Sequence, residues 1–365
     1  MENQLPLKTP PRRICVLRLS AIGDVTHAIP LIRQIQDQWP GCEITWICGS
    51  LEHKLLKSIE GVRFVTFNKH GGLFKYLNLY KRLRKDKFDI LIHAQVSARA
   101  NLISLFIDAN IRLGWDKDRS RDLHQFFTNH SVPAASMQHQ QDALLSFGEV
   151  LGLNQSAPDW RLPVNDSVRT FVNTHIPGNR RVLVISACSS HKNRNWSAER
   201  YAKVADHSIR THGMAVVLTG GPSKFEMKMA ENITTRMAHK ARNLVGKDTL
   251  EQLVGILSQA DVVVSPDSGP AHLANAVGTK VIGLYACTWS KRSGPYNSLD
   301  HCVDKFEETA VKHANTKAEN LPWGTKFELP GVMDAISVEE VCEKIDSVME
   351  ELNGSIDHER ERSFA

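Results

Sequence analysis

Ala260-Asp261-Val262-Val263-Val264-Ser265-Pro266-Asp267-Ser268-Gly269-Pro270-Ala271-His272-Leu273-Ala274-Asn275-Ala276-Val277-Gly278 is the stretch whose reading decides the fold. Its β-branched opening reads as a buried strand and residues 273–278 as a short helix. Residues 265–272 are then the loop from the carboxyl end of a strand into a helix. Ser268 is placed to cap that helix, Gly269 to let the backbone approach a ligand, and Pro270 to sit in the first turn. A helix start offers unpaired N–H groups and a partial positive charge, so it suits a phosphate. Asp267 and His272 bring polar groups to the same mouth.

Outward from this stretch, strand and helix alternate along the chain. Apolar runs at 14–19, 43–48, 62–67, 88–93 and 111–114 read as strands, with helices over 25–38, 51–58, 73–85 and 98–107 between them. The pattern closes with a helix over 139–151 and resumes with a strand at 181–186. A helix over 197–211 and a strand at 215–218 follow, then helices over 224–237 and 249–257, and strands at 261–265 and 280–284. Such alternation means βαβ units and a parallel, doubly wound sheet. Residues 154–180 carry Pro158, Pro163, Pro177 and Gly178 with little periodicity and read as a linker. The expectation is two Rossmann-like α/β domains over 13–155 and 179–336, with 156–178 between them. An amphipathic helix at 337–352 is expected to pack back on the N-terminal domain. The tail IDHERERSFA reads as charged and frayed.

Composition narrows the function. The 365 residues carry a net charge of +5 and 23% charged side chains, ordinary for a globular protein and too mild to indicate nucleic acid. Seven scattered cysteines without a C-x-x-C fit a reducing compartment and neither a disulfide frame nor a zinc site. The start, MENQLPLKTPPRR, lacks the apolar core of a secretory signal, and no apolar run is long enough to span a membrane. A cytoplasmic chain is expected. Neither G-x-G-x-x-G nor a P-loop is present, which weakens nicotinamide-dinucleotide and P-loop chemistry.

In open α/β sheets ligands sit beyond the carboxyl ends of strands, and the polar loops there are the candidates. At 20–24, Asp24 reads either as a helix cap or as a carboxylate turned to a ligand. At 187–196, Ser189, Ser190, Lys192 and Arg194 offer hydroxyls and cations suited to a diphosphate, or form a solvated basic loop. Thr219-Gly220-Gly221-Pro222 lets a base or ribose pack on bare backbone, with Glu226 in reach of a ribose, or is a plain turn. Asp116-Lys117-Asp118 matches D-x-D, but so few ligands define a Mg²⁺ site poorly, and no metal is expected. The basic helix at 75–85 and the loop 115–136 are candidates for holding an anionic acceptor, or solvated faces.

Val16-Leu17-Arg18-Leu19-Ser20-Ala21-Ile22-Gly23-Asp24-Val25 with Pro30 resembles the opening of the family 9 glycosyltransferases, the bacterial heptosyltransferases. The opening stretch from Asp261 to Ala274 resembles their second signature, and Ser190-x-x-x-Arg194-x-Trp196 a third. Thr219-Gly220-Gly221-Pro222 and Gly283-Leu284-Tyr285 also fall into register, so the likeness covers residues 13–350.

The resemblance implies a GT-B architecture, two Rossmann-like domains facing across a cleft. It implies inverting transfer, without metal or cofactor, of heptose from ADP-L-glycero-D-manno-heptose to the lipopolysaccharide inner core. Asp24 matches the general base. Ser189, Ser190 and Arg194 match donor-phosphate contacts, with Lys192 beside them. Asp267 matches a contact to heptose hydroxyls, and Ser268, Gly269 and His272 match the diphosphate cradle. Thr219 and Gly220 are expected at the nucleoside, and Arg18, Ser20 and Gln95 at a lipid-linked acceptor bearing Kdo or heptose, reached at the inner face of the inner membrane. Three positions depart from the family. Arg194 stands where Lys is common, Lys224 near an acidic nucleoside contact, and His93 where Asp is common. Another nucleotide-sugar transferase, an epimerase or a non-catalytic envelope-assembly paralogue are the alternatives.

Overall fold

Strands that are apolar along their whole length need cover on both faces, and both sheets of this protein provide it. The computed structural model describes residues 4–68, 72 and 74–363, with side chains to residue 354. Leu73, and most of the tail IDHERERSFA apart from its helical backbone, fall outside that description. The chain forms two compact units that part between Pro163 and Val164.

The first unit runs β1 (Arg13–Leu17), α1 (Ile22–Gln38), β2 (Glu43–Gly49), α2 (Ser50–Leu56), β3 (Val62–Phe67) and α3 (Phe74–Leu83). It continues with β4 (Lys87–His93), α4 (Ala98–Ser104), β5 (Asp108–Gly114), β6 (His130–Ser131) and α5 (Gln140–Leu151). Its six strands are parallel, in the order β3-β2-β1-β4-β5-β6. Cys15, Leu17, Ile47, Val65 and Leu91 meet Leu79, Leu83, Ala100 and Ile103 of α3 and α4 in one core layer.

The second unit begins with α6 (Asp166–His175), β7 (Val182–Ile185), α7 (Ala198–His212), β8 (Ala215–Leu218), α8 (Lys224–Thr234), β9 (Arg242–Asn243) and α9 (Leu250–Ser258). It ends with β10 (Val262–Pro266), α10 (Gly269–Ala276), β11 (Lys280–Tyr285), α11 (Ser290–Ser293), β12 (Val303–Asp304), α12 (Phe306–Ala314) and α13 (Val338–Ser363). Its parallel order is β12-β11-β10-β7-β8-β9. In each sheet the strand order reverses beside the first strand, at β1/β4 and at β7/β10. Those switch points are where an open α/β sheet leaves room for a ligand.

Two expectations need correction. Residues 166–175, read as part of a linker, form α6. Asn165 caps it by accepting the Val168 N–H at 3.0 Å, and Val168 and Val172 are buried. With so narrow an apolar stripe between prolines, α6 gives a weak periodic signal. The C-terminal helix, expected on the N-terminal domain, buries Val341, Ile345, Val348 and Met349 in the core of its own unit. Asp346 on α13 also accepts from His207 and His212 of α7, at 2.7 and 2.6 Å.

Candidate functional site

In the second unit, the loops after β7 and β10 meet at the switch point. Asp267 follows the last residue of β10 and is mostly buried. Arg194 Nη1 pairs with Asp267 Oδ2 at 3.2 Å, and His272 Nε2 lies 3.8 Å from Asp267 Oδ1. The Ser189 hydroxyl donates to the Asp267 carbonyl at 2.9 Å, joining the two loops. Burial works against the charge on Asp267, but His272, Arg194 and the Thr288 hydroxyl outweigh it and hold the carboxyl below its usual range. Asp267 is thus a fixed anion that orients cations and accepts hydroxyl hydrogen bonds, a character that suits a sugar ligand better than a base.

Ser268 takes the N-cap position of α10 without capping it. Its hydroxyl pairs with Ser265 Oγ at 2.8 Å instead. The expected side-chain cap is absent, so the first N–H groups of α10 are left for an anion. Gly269 and the buried His272 lie in that first turn.

Arg194 has a second holder that the sequence reading missed. Its Nε donates to Glu328 Oε1 at 2.7 Å and its Nη2 lies 2.5 Å from the same oxygen. Glu328 comes from an irregular segment tied down by Asn193 Nδ2 on the Glu328 carbonyl at 2.8 Å and by Phe327 N–H on the Cys287 carbonyl at 2.9 Å. Lys326 belongs to the same group of charges. Burial, then Arg194, lower its pKa, while Glu328 and Asp267 act to raise it. Ser190 and Lys192 are exposed on the loop, and Ser189 N–H donates to Asn195 Oδ1 at 2.6 Å. Trp196 is core: it packs edge-on to Tyr201 and donates to the Ile336 carbonyl at 3.1 Å.

After β8, the Thr219 hydroxyl is buried without a partner among the described residues. Gly220 and Gly221 lie against Glu226, whose carboxylate accepts the Gly221 N–H at 2.5 Å. A Cβ on either glycine would come within 2.9 Å of that carboxylate. A side chain at either position would push the Glu226 carboxylate off the bare backbone it now closes on. Asp248 lies near it, and burial, with Glu226 adding to it, pushes its carboxyl up to about 6. Lys224, exposed at the start of α8, stays outside this arrangement as far as the described contacts go.

In the first unit, the switch point holds the loops after β1 and β4. Asp24 Oδ2 accepts the Ala21 N–H at 3.0 Å and pairs with Arg18 Nη2 at 2.9 Å. Asp24 is not the N-cap residue, which is Ala21; from the third helical position its carboxylate reaches back to the N-cap backbone N–H while holding the Arg18 guanidinium. Arg18 also donates to the Ala94 carbonyl. Gln95 Oε1 accepts the N–H groups of Leu19 and Ser20 at 3.1 and 3.3 Å, which fixes the turn.

The D-x-D stretch is structural. Asp116 is buried, pairs with Arg119, and accepts the Asp118 and Arg119 N–H groups at 3.0 and 3.3 Å. His93 lies in the core with its ring centroid 4.4 Å from that of His124. Burial, then His124 and Arg112, push His93 well below the usual histidine value, and burial takes His124 down to about 4. Both are packing groups held neutral.

The family model described as glycosyltransferase family 9 (heptosyltransferase) matches residues 76–323. The lipopolysaccharide core heptosyltransferase OpsX of Haemophilus influenzae is 38% identical over 338 residues, 92% of this chain and 97% of that protein. A glycosyltransferase family 9 structure from Veillonella parvula matches with a TM-score of 0.78 at 21% identity, covering 96% of this chain and 100% of that one. The Escherichia coli ADP-heptose LPS heptosyltransferase II structure gives 0.72 at 18% identity, over 93% and 99% of the two chains. These structures share the GT-B α/β architecture. With a family model spanning more than half of its length and a relative of 38% identity over 92% of it, the chain belongs to glycosyltransferase family 9, the heptosyltransferases.

Proposed function

We propose that this chain transfers L-glycero-D-manno-heptose from ADP-heptose to the inner core of lipopolysaccharide, inverting the anomeric centre, at the cytoplasmic face of the inner membrane. The observation that carries the reading is the Arg194–Asp267–His272 cluster with Ser189 at the start of α10. It joins a fixed anion, a cation held by two carboxylates and an uncapped helix start. The relatives' names supply the substrate class: one is a lipopolysaccharide core heptosyltransferase and another an ADP-heptose LPS heptosyltransferase.

In this reading the diphosphate rests on the start of α10 at Ser268, Gly269 and His272 and near Arg194, with Ser189, Ser190 and Lys192 around it. Asp267 accepts hydroxyls of the heptose. Thr219 and Gly220 take the nucleoside, with Glu226 and Asp248 beside them. The acceptor, ending in Kdo or heptose, is bound by the first unit at Arg18, Ser20 and Gln95. Asp24 takes its proton as the hydroxyl attacks the anomeric carbon and ADP leaves. A positioned base contributes about 10²–10⁴-fold. Stabilising charge on the departing diphosphate contributes at least as much, and Arg194 with the α10 start supplies it without a metal ion.

Calorimetry with ADP-heptose and with UDP- and GDP-sugars tests the donor. Binding of ADP-heptose at least tenfold tighter than the others, unchanged by a chelator, is expected. Preference for a uridine or guanosine donor would replace this reading with another nucleotide-sugar enzyme.

A further inference from the structure

Helix α3 carries two apolar stripes, and only one is used by the core. Leu79 and Leu83 are buried, and Tyr76 packs on Phe67 and Phe106 with ring centroids 5.4 and 6.3 Å apart. Phe74, Leu77 and Tyr80 face solvent, Phe74 with 75% of its surface exposed. The exposed stripe extends beyond α3. Tyr80 lies 6.1 Å from the Phe106 ring and lines a groove with Arg84, Leu105 and Phe106. Arg112 ties the end of α4 to the next segment, donating to the carbonyls of Ser104 and Phe127 at 2.8 and 2.9 Å. Asn101 Nδ2 on the Asp122 carbonyl at 2.7 Å holds residues 122–127 against α4.

That segment displays Leu123 and Phe126, 71% and 84% exposed. Leu123 has φ 60°, a left-handed conformation unfavourable for a branched side chain. Neither burial nor backbone preference accounts for a leucine there. On α3, Lys81, Arg84 and Lys85 are all exposed, Arg84 beside Tyr80, Leu105 and Phe106, and residues 74–85 contain no acidic side chain. Asp108 borders the groove, and Asp122 is engaged by the Ala98 N–H at 3.0 Å.

We infer that this face of the first unit, α3 with the end of α4 and residues 122–127, docks on an anionic lipid bilayer. Protruding Phe, Leu and Tyr tips enter the headgroup boundary while Lys and Arg stems keep their charges among the phosphates. Each cation near an anionic surface adds to the attraction, and salt screens it. A protein partner fits less well, because interface cores are depleted in lysine. The inference rests on the proposed lipid-borne acceptor and locates the membrane-facing surface that acceptor requires.

The test is flotation of the full chain with vesicles of phosphatidylethanolamine and phosphatidylglycerol, against vesicles of phosphatidylcholine. The native chain is expected to float with the anionic vesicles and to be released by high salt. Leu77→Ser/Leu105→Ser/Phe126→Ser and Lys81→Glu/Arg84→Glu are each expected to lower that partition at least tenfold. Both should keep the native melting curve and native affinity for ADP-heptose, whose proposed site lies in the second unit. Failure of the native chain to bind anionic vesicles, or equal binding by the variants, overturns the inference. So does a native dimer that the serine variant converts to a monomer without any vesicle binding. Vesicle binding by a native chain that transfers no heptose to a lipid-free core oligosaccharide would instead count against the proposed function and leave the surface standing.

Discussion

Asp24 holds a backbone N–H and a guanidinium at once, so its substitution separates geometry from charge. An amide in its place keeps an oxygen for the Ala21 N–H and loses the base. Asp24→Asn is expected to lower kcat about 10²–10⁴-fold with little change in thermal midpoint, checked by steady-state kinetics and a melting curve. Arg194 is placed by Asp267 and Glu328 together, which suits a planar fork and not a point charge. Arg194→Lys is expected to raise the donor KM about tenfold, roughly the loss of one charge-assisted hydrogen bond. Arg194, Asp267 and Asp24 could be singled out from the sequence because each follows an apolar run, Asp267 directly after β10, Asp24 in the first turn of α1 and Arg194 in the polar segment between β7 and α7. Glu328 could not, because its segment has no periodicity and is fixed by contacts with Asn193 and Cys287 far away in sequence. Thr288, three residues past β11, was within reach: β11 pairs with β10, so its loop opens on the same ligand edge.

At the scale of elements, every strand of four or more residues and most helices, the seven-residue α2 and α4 among them, were readable from period and turn residues; the two-residue strands β6, β9 and β12 and the helices α6, α11 and α12 were not. Helix α6 depends on α9: a Cβ on Gly255 would fall 2.4 Å from Val168 Cγ1. Gly255→Ala therefore overpacks this pair and is expected to cost about 1–3 kcal/mol, measured by urea unfolding. The His93–His124 pair beneath the ends of β4 and β5 sets an acid limit. A histidine near 4 in the folded chain and near 6.5 unfolded takes up a proton on unfolding, so stability drops as the pH is lowered between those values. His124 alone is expected to remove about 2 kcal/mol from the first unit on going from pH 7 to pH 5. His93, depressed further, adds to that loss. Urea unfolding at the two pH values and an NMR titration of the ring protons check it, and a His124 that titrates near 6.5 would contradict it.

Taken whole, the molecule repeats one construction. Each unit reverses its strand order next to the first strand, and each reversal carries a polar cluster built from two loops. The opening stretch around Asp267 predicted a phosphate cradle; the structure adds that Ser268 leaves the helix start uncapped and that Asp267 is an ionised anchor. The direct test of the central claim is mass spectrometry of defined truncated lipopolysaccharide cores, ending in Kdo or in heptose, after incubation with ADP-heptose and this protein. One of the two cores is expected to gain the mass of a single heptose, with ADP released in equal amount. Neither core gaining heptose, or ADP release without transfer, would contradict that claim.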